Sequence, residues 1–179
     1  MNKGIIYYTK IRDEYEDCHM EHMIGEELLK TGLKQEYGLI LKYEPRAEGE
    51  HGKPFLSLRP SLHYNISHSG KYVLCILADQ EVGIDVQIHK DVNYDKLLNR
   101  MVSEDLKREI LNREDVKKAF YEQWVLREAY FKWTGEGLSR DMRTIPFNEG
   151  KRMLLQFEEG YSCAVWSMKP MEIRWEYAD

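Results

Sequence analysis

The sequence YVLCILADQEVGIDVQI, which runs from Tyr72 to Ile88, indicates two neighbouring strands of a sheet. Residues 72–78 and 82–88 are rich in β-branched and other apolar side chains, and the polar residues Asp79, Gln80 and Glu81 separate them. The sequence therefore predicts two strands that are joined by a tight turn.

Periodicity on either side of this pair predicts the remaining elements. Strands are expected over residues 3–10, 62–66, 144–148, 153–157, 161–166 and 171–175, the last four of them antiparallel. Helices are expected over residues 17–37, 94–101 and 114–134, and a further helix should start at Ser103.

Two segments interrupt this pattern. Gly32 is expected to end or bend the first helix, because glycine costs roughly 1 kcal/mol in a helix interior. Residues 44–54 are polar and rich in Gly and Pro, so a surface loop is expected there.

Helices beside mostly antiparallel sheets make α+β the expected fold class. Strand, helix and sheet follow one another twice, with a seam near residues 88–91. We therefore predict an N-terminal half, residues 1–89, and a C-terminal half, residues 90–179.

Composition excludes several classes of protein. The 179 residues carry a formal net charge of −5, which argues against a nucleic-acid-binding protein. No apolar run has the length of a signal peptide or a membrane span, so we expect a cytoplasmic protein without membrane contact. The three cysteines, Cys18, Cys75 and Cys163, have no CxxC spacing and are expected to be core thiols.

The fragment Val82-Gly83-Ile84-Asp85-Val86-Gln87 places two oxygen-bearing side chains on an otherwise apolar strand. Because strand side chains alternate, Asp85 and Gln87 are expected to point to the same side. Two oxygen-bearing groups then share one face at the end of this strand.

Trp124, Glu128 and Lys132 are each four residues apart in the long predicted helix and should form one stripe. A carboxylate and an ammonium would then lie within reach of the same ligand. Taken alone, a Glu and a Lys at this spacing more often form an exposed pair worth about 0.3–0.5 kcal/mol.

Two further fragments contain residues that can carry chemistry. Residues 64–70, YNISHSG, are expected to be a strand that runs into a polar turn, where hydroxyls, backbone N–H groups and an imidazole can hold a phosphate. The alternative is a simple Ser/Gly turn with a surface histidine. Lys53 lies between Gly52 and Pro54 in the predicted loop, where a lysine is ordinarily solvated.

Taken together and in this order, the fragments resemble the motifs of 4′-phosphopantetheinyl transferases of the surfactin-synthetase type. Several motifs in register are far more specific than any one of them. They cover about half of the chain and are Gly52-Lys53-Pro54, Asn65-Ile66-Ser67-His68-Ser69, Gly83-Ile84-Asp85-Val86-Gln87, Trp124-Val125-Leu126-Arg127-Glu128-Ala129-Tyr130-Phe131-Lys132 and Gly135-Glu136-Gly137-Leu138.

The resemblance implies a fold, a reaction and partners. The fold would consist of two similar α/β halves related by a pseudo-twofold axis, with the site between them. The enzyme would depend on Mg²⁺ and move the phosphopantetheine arm of coenzyme A to a serine of an apo acyl or peptidyl carrier protein, releasing 3′,5′-ADP. We expect it to act as a monomer.

The resemblance also implies roles for single residues. Asp85 and Glu128, with Gln87, would hold Mg²⁺. Glu128 would accept the proton of the carrier serine, directly or through a metal-bound water. Lys132 would stabilise charge on the departing 3′,5′-ADP. Contacts to the nucleotide would come from Ser67 and His68 at phosphate and from Lys53 and Pro54 at the adenosine end, whereas Ser69 would be structural.

The chain departs from the family pattern at three places. Gln87 stands where many members carry a second acidic residue, so a neutral amide replaces an anionic ligand. Arg127 replaces the usual lysine of the helix motif, which preserves charge but not geometry. The region around Glu21 and His22 lacks the basic residues that relatives place there to hold phosphate.

Three other hypotheses remain open. A catalytically degenerate paralogue, suggested by Gln87, would bind carrier protein or coenzyme A without transfer. A metal-dependent phosphohydrolase would use the same oxygen ligands and release free phosphopantetheine. A separate metal site formed by Cys18, His19 and His22 is conceivable at helical spacing.

Overall fold

The computed structural model describes residues 2–13, 19–137 and 140–179. Within these residues the chain forms nine strands and four α-helices. In chain order they are β1 (Asn2–Lys10), α1 (Glu21–Tyr37), β2 (Arg46–Glu48), β3 (Pro54–Leu56), β4 (His63–Ser69), β5 (Tyr72–Ala78), β6 (Val82–Ile88), α2 (Tyr94–Leu98), α3 (Glu104–Leu111), α4 (Val116–Thr134), β7 (Lys151–Leu155), β8 (Tyr161–Ser167) and β9 (Met171–Tyr177).

The larger strands form two sheets. The first sheet has the order β4-β5-β1-β9 and the second sheet has the order β6-β8-β7, while β2 and β3 form a small hairpin. In both sheets, helical segments separate the first strand in the chain from the next two strands of that sheet. Of these three strands, the third lies between the first and the second. This repeat agrees with the expected α+β class, and the pairings are antiparallel except that of β9 with β1, which is parallel.

The elements stack in layers. Apolar side chains of the two sheets meet in one core, which includes Ile76 from the first sheet and Ile84 from the second. The helix α1 packs on the outer face of the first sheet, and α4 packs on the outer face of the second. Each sheet therefore buries both faces, which accounts for the continuous apolar run of β5.

The backbone of α4 lies directly on β6 at Gly83. A Cβ atom at this position would lie 2.1 Å from the carbonyl oxygen of Ala129 and 2.3 Å from the backbone nitrogen of Trp133. Glycine in a strand interior often marks such a close approach of two backbones. The contact brings the residues that follow Gly83 in β6 against the helix that carries Glu128 and Lys132.

Side chains of β4 join the first sheet to the second. Asn65, Ser67 and Ser69 project from the same side of β4, and their oxygen atoms accept hydrogen bonds from backbone N–H groups of β6, an edge strand of the second sheet. The acceptors and donors pair as Asn65 with Ile84 at 2.9 Å, Ser67 with Val86 at 3.2 Å and Ser69 with Ile88 at 3.0 Å. We call this set of bonds the β4–β6 ladder. It satisfies backbone donors that an edge strand otherwise leaves without a partner.

Most predicted elements are present, and several differ from the prediction. The strands at 72–78 and 82–88 have the predicted bounds. Ser67, His68 and Ser69 lie within β4 and not in a turn, because their pairing with β5 continues to Ser69. Residues 144–148 form no strand, and a 3₁₀ turn at Met142–Thr144 leads into β7 instead.

Gly32 does not end the first helix. The helix α1 continues to Tyr37, and a Cβ atom at residue 32 would lie 2.6 Å from a methyl group of Leu77. The glycine therefore lets the helix approach the first sheet closely. The predicted start at residue 17 lies outside the described residues, and α1 begins at Glu21.

The predicted loop at 44–54 is not wholly irregular, because β2 and part of β3 lie within it. Cys75 and Cys163 are free and buried, as expected for core thiols, whereas Cys18 lies outside the described residues. No helix among the described residues is long and apolar enough to cross a membrane.

The predicted division into residues 1–89 and 90–179 stays a prediction. Sheet pairing crosses it in both directions, because β6 joins the second sheet and β9 joins the first. The chain passes from the first sheet to the second at the turn of residues 79–81, which is earlier than the predicted boundary at residue 89.

The contact at Gly83 leads to a stability prediction. Gly83→Ala should lower the free energy of unfolding by about 3 kcal/mol, because the added methyl group forces two backbones apart. Gly49→Ala is the matched control, since its Cβ would lie 3.7 Å from the nearest atom, and it should change stability by less than about 0.5 kcal/mol. Urea unfolding measures both, and equal stability of the two variants would contradict the packing argument.

Candidate active site

Asp85 lies buried where β6, β4 and α4 meet, with 2% of its surface exposed. Its Oδ1 atom accepts hydrogen bonds from Ser67 Oγ at 3.0 Å and from Lys132 Nζ at 2.8 Å. Its Oδ2 atom accepts from Gln87 Nε2 at 3.2 Å. A buried carboxylate is costly unless it is paired in this way, so the three donors hold Asp85 in a defined orientation.

Glu128 projects from α4 near Asp85 and is half-buried. Burial raises the pKa of its carboxyl group to about 7, the charge of Asp85 adds to this, and Lys132 opposes it. No hydrogen bond or ion pair to its carboxylate occurs within residues 2–13, 19–137 and 140–179. Glu128 is thus a carboxylate with open coordination positions beside a second carboxylate.

Ser67 links three elements through one hydroxyl group. The hydroxyl donates to Asp85 and accepts from Val86 N and from Lys132 Nζ, the last at 2.8 Å. A serine hydroxyl has one donor and two acceptor positions, so all three are used. Ser67, which was predicted to contact a nucleotide phosphate, therefore positions Asp85 and Lys132 in this structure.

His68, the other predicted phosphate contact of this motif, lies elsewhere. It is exposed and belongs to the opposite face of β4 from Ser67 because strand side chains alternate. Its neighbour on that face, Ile66, packs with the core under α1. Ser67 and His68 therefore point to opposite faces of the edge strand β4, and the predicted contacts of both residues to nucleotide phosphate stay predictions.

Gln87 faces the site through its amide nitrogen. Its Nε2 atom donates to Asp85, and its Oε1 atom accepts a hydrogen bond from Ser69 Oγ at 3.4 Å. As predicted from strand alternation, Asp85 and Gln87 share one side of β6. Because the amide oxygen points toward Ser69, coordination of a cation by Gln87 requires rotation of the amide.

Lys53 is neither solvated nor free. Its Nζ atom contacts Glu81 Oε2 at 2.6 Å, the carbonyl oxygen of Trp133 at 2.9 Å and that of Val82 at 3.2 Å. These acceptors use all three ammonium donors. Hydrogen bonds with His63 and then with Lys53 lower the pKa of the Glu81 carboxyl group to about 2. The ammonium therefore fixes the loop to the end of α4, and only the hydrocarbon part of Lys53 remains for a ligand.

Two cavities adjoin at this loop. The smaller, of about 220 Å³, is lined by Glu128 and Lys132 together with Asn65. The larger, of about 710 Å³, is lined on one side by the apolar side chains of Phe55 and Trp133. Both cavities share four lining residues, which are His51, Lys53, Pro54 and Gly135. The arrangement suits an elongated ligand with a polar and a flat apolar part.

Two residues of the helix motif lie outside these cavities. Trp124 packs against Phe120 and lines a separate cavity of about 590 Å³. Arg127 is buried, donates through Nε to Met101 O at 2.8 Å, and lies over the ring of Phe147. Burial lowers its pKa to about 10. Only Glu128 and Lys132 of this stripe therefore reach the site.

Asn65 lines the smaller cavity but is not among the residues that the sequence analysis assigns to the site. The alternation of Asn65, Ser67 and Ser69 indicates that the three side chains share one face, if the strand continues to Ser69. The predicted turn after Ile66 conceals this pattern.

The donor set suits a hard divalent cation. Among the described residues, no group of three or more His, Cys, Asp or Glu side chains is placed to hold a metal ion. Mg²⁺ does not require such a group, since one or two carboxylates plus substrate phosphates commonly hold it. The open carboxylate of Glu128 beside Asp85 fits this requirement. The alternative site at Cys18, His19 and His22 stays a hypothesis, because Cys18 lies outside the described residues.

The sequence is similar to those of known proteins. Residues 81–174, slightly more than half of the chain, match the 4′-phosphopantetheinyl transferase superfamily. A 4′-phosphopantetheinyl transferase of Bacillus subtilis is 31% identical over 126 residues, covering 69% of this chain and 55% of the relative. The transferase Sfp of Bacillus subtilis strain 168 is 30% identical over 126 residues, again covering 69% of this chain and 55% of the relative.

A more extended match covers nearly the whole chain. The 4′-phosphopantetheinyl transferase gsp of Aneurinibacillus migulanus is 24% identical over 185 residues, covering 93% of this chain and 74% of the relative. The chain spans only about half the length of the two Bacillus relatives. The matched segment nevertheless contains Asp85, Glu128 and Lys132, and the chain belongs to the 4′-phosphopantetheinyl transferase superfamily.

Proposed function

We propose that this protein is a Mg²⁺-dependent 4′-phosphopantetheinyl transferase that acts on coenzyme A and an apo acyl or peptidyl carrier protein. The observation that supports this most directly is the cavity that Glu128 and Lys132 line, with Asp85 bonded to Lys132. Carboxylates and an ammonium at one point suit a diphosphate that carries a divalent cation.

The reaction is a displacement at phosphorus. The hydroxyl oxygen of the carrier serine bonds to the phosphorus atom that bears the pantetheine arm. The bond from this phosphorus to the bridging diphosphate oxygen breaks, and 3′,5′-ADP leaves with that oxygen. The serine proton goes to Glu128, directly or through a water molecule, because Glu128 lines the cavity and its carboxylate has no hydrogen-bond partner among the described residues.

The protein's own residues orient the reactants. Asp85 and Glu128 would hold Mg²⁺, which neutralises diphosphate charge when bound. The Nζ atom of Lys132 lies at the cavity and stabilises charge on the departing 3′,5′-ADP. Ser67 and Gln87 keep Asp85 in place through the hydrogen bonds described above.

The larger cavity is proposed to hold the adenosine end of coenzyme A. Pro54 and the stem of Lys53 join it to the smaller cavity, where the diphosphate would lie. His68 remains a proposed contact to a phosphate on the other side of β4. Action as a monomer in the cytoplasm is likewise proposed.

The degenerate paralogue is less well supported than the transferase. Its only motivation is Gln87, and Asp85, Glu128 and Lys132 remain together at the site. A phosphohydrolase would share this geometry, so product analysis must separate the two reactions.

The decisive experiment incubates the protein with coenzyme A, Mg²⁺ and several apo carrier proteins and measures intact carrier masses. The wild-type protein should add one phosphopantetheine arm to at least one carrier. Glu128→Gln and Asp85→Ala should each lower the rate of carrier modification by about 10³-fold or more, because each substitution removes a proposed metal ligand. Glu128→Gln also removes the proposed base. Chelation of Mg²⁺ should do the same.

Glu122→Gln is the control for this experiment, since it removes one carboxylate from the same helix without touching either cavity. It should keep near wild-type activity. Release of free phosphopantetheine without carrier modification would support hydrolysis instead. Full transfer by Asp85→Ala and Glu128→Gln would exclude the proposed site.

Gln87→Glu should retain or improve transfer when Mg²⁺ is abundant. The substitution replaces an amide by an anionic oxygen ligand beside Asp85. The same carboxylate repels Asp85 when no cation is present, so transfer should depend more steeply on Mg²⁺ concentration. Rates over a Mg²⁺ titration test this, and strong inactivation at every concentration would show that the metal assignment is wrong.

Metal-free stability should depend on pH through Glu128. Folding raises the pKa of Glu128 from 4.5 to about 7, so ionisation of this residue lowers the free energy of unfolding. This loss is absent below about pH 4.5 and complete above about pH 7. Glu128→Gln should therefore stabilise the chelated protein at pH 8 by about 1–2 kcal/mol, a value reduced for partial exposure. Urea unfolding at pH 5 and pH 8, with Glu122→Gln as control, measures this, and the gain should shrink at pH 5. An equal gain at both pH values would contradict it.

A further inference from the structure

Lys132 bonds to the carboxylate that is proposed to hold the cation. Its Nζ atom lies 2.8 Å from Asp85 Oδ1, and Ser67 Oγ donates to the same oxygen. Within the described residues, the other oxygen, Oδ2, accepts one hydrogen bond, from Gln87 Nε2. Because a carboxylate oxygen can accept at two positions, Oδ2 keeps one position for a cation. A cation bound to Asp85 therefore shares this carboxylate with an ammonium group.

The charges at this point limit how strongly a cation is attracted. Asp85 and Glu128 supply at most two negative charges, and Lys132 cancels one of them. Gln87, the third oxygen-bearing side chain, is neutral. Because Asp85 is buried and Nζ is held against it, repulsion between the ammonium and a divalent cation is stronger there than at a solvated surface. Lys132 thus opposes the binding of a cation by itself.

An anionic ligand reverses the effect of Lys132. Its ammonium donates to Ser67 Oγ and Asp85 Oδ1, which leaves one of its three hydrogens for an oxygen of a ligand. Lys132 and Glu128 line the cavity of about 220 Å³, where the diphosphate is proposed to lie. A diphosphate oxygen that accepts this hydrogen makes a charge-assisted hydrogen bond, which is stronger than one between neutral groups. The side chain that opposes a cation alone therefore favours a cation that carries a diphosphate.

We propose that Lys132 is a selectivity residue, which disfavours binding of a divalent cation alone and favours binding of the cation together with a diphosphate. This inference rests on the proposed function, because it takes the diphosphate of coenzyme A as the anion. It gives Lys132 a role before any bond is broken, in addition to stabilising charge on the departing 3′,5′-ADP. The position of Nζ against Ser67 and Asp85 is enough for both effects, so no movement of α4 is required.

Lys132→Met separates the two effects, since it removes the charge and keeps a flexible apolar side chain. Mn²⁺ serves as the probe for the cation, at pH 8 and without any phosphate compound. It should bind about 10-fold more tightly to Lys132→Met than to the wild-type protein, because no ammonium then neutralises Asp85. Titration calorimetry, or the electron paramagnetic resonance signal of unbound Mn²⁺, measures this affinity.

The same substitution should have the opposite effect on coenzyme A. In a fixed excess of Mn²⁺, coenzyme A should bind about 10-fold more weakly to Lys132→Met, the usual effect of losing a hydrogen bond to a charged group. Titration calorimetry measures this affinity as well. Effects of opposite sign distinguish a selectivity role from a general loss of structure, which would weaken both interactions.

Two further variants control for charge and folding. Lys118→Met removes a charge from an exposed part of α4 outside both cavities, so both affinities should stay within about twofold of wild type. Lys132→Gln lacks the charge but keeps a hydrogen-bond donor for Asp85. It takes the place of Lys132→Met if that variant folds poorly, with the same expected results.

The outcomes are distinct. Unchanged or weaker binding of Mn²⁺ alone by the neutral variants would overturn the inference while leaving the proposed function intact. Unchanged coenzyme A affinity in those variants would also overturn it, because Lys132 would then make no contact with the anion. If the wild-type protein binds no coenzyme A in the presence of Mn²⁺, the proposed function itself fails.

Discussion

The close contact between the backbones of β6 and α4 at Gly83 is the constraint on which the site depends. No side chain lies between the strand and the helix there, since a single Cβ atom would lie 2.1 Å from the carbonyl oxygen of Ala129. Asp85 is two residues further along β6, and Lys132 is one turn of helix from Ala129. The 2.8 Å bond between Asp85 and Lys132 is therefore a consequence of how closely the two backbones pack.

The second requirement is that the two sheets keep their relative position. The β4–β6 ladder meets it on one side, where three side chains bond to backbone N–H groups of β6. Lys53 adds a connection from the segment before β3, because its ammonium bonds to backbone carbonyl groups at the start of β6 and the end of α4. Ser67 and Lys53, which the family motifs associate with ligand binding, thus hold the architecture in this structure.

The charges of the site are balanced at Asp85 but not at Glu128. Asp85 is compensated by Lys132, Ser67 and Gln87, but Glu128 is not, and burial beside Asp85 raises its pKa to about 7. Folding tolerates this cost because packing around α4 fixes the helix regardless of Glu128. A divalent cation and a diphosphate would supply the missing charges on both sides of the cavity.

Local patterns in the sequence determined the strands at 72–78 and 82–88, the long helix, and the shared side of Asp85 and Gln87, because each depends on alternation or helical spacing along one segment. The motifs likewise indicated the family. Only the tertiary structure decided that Lys53 is fully bonded, that β9 joins the first sheet and that Asn65 lines the smaller cavity. These features depend on which distant segments meet, and that is set by packing between sheets and helices that no single stretch of sequence contains.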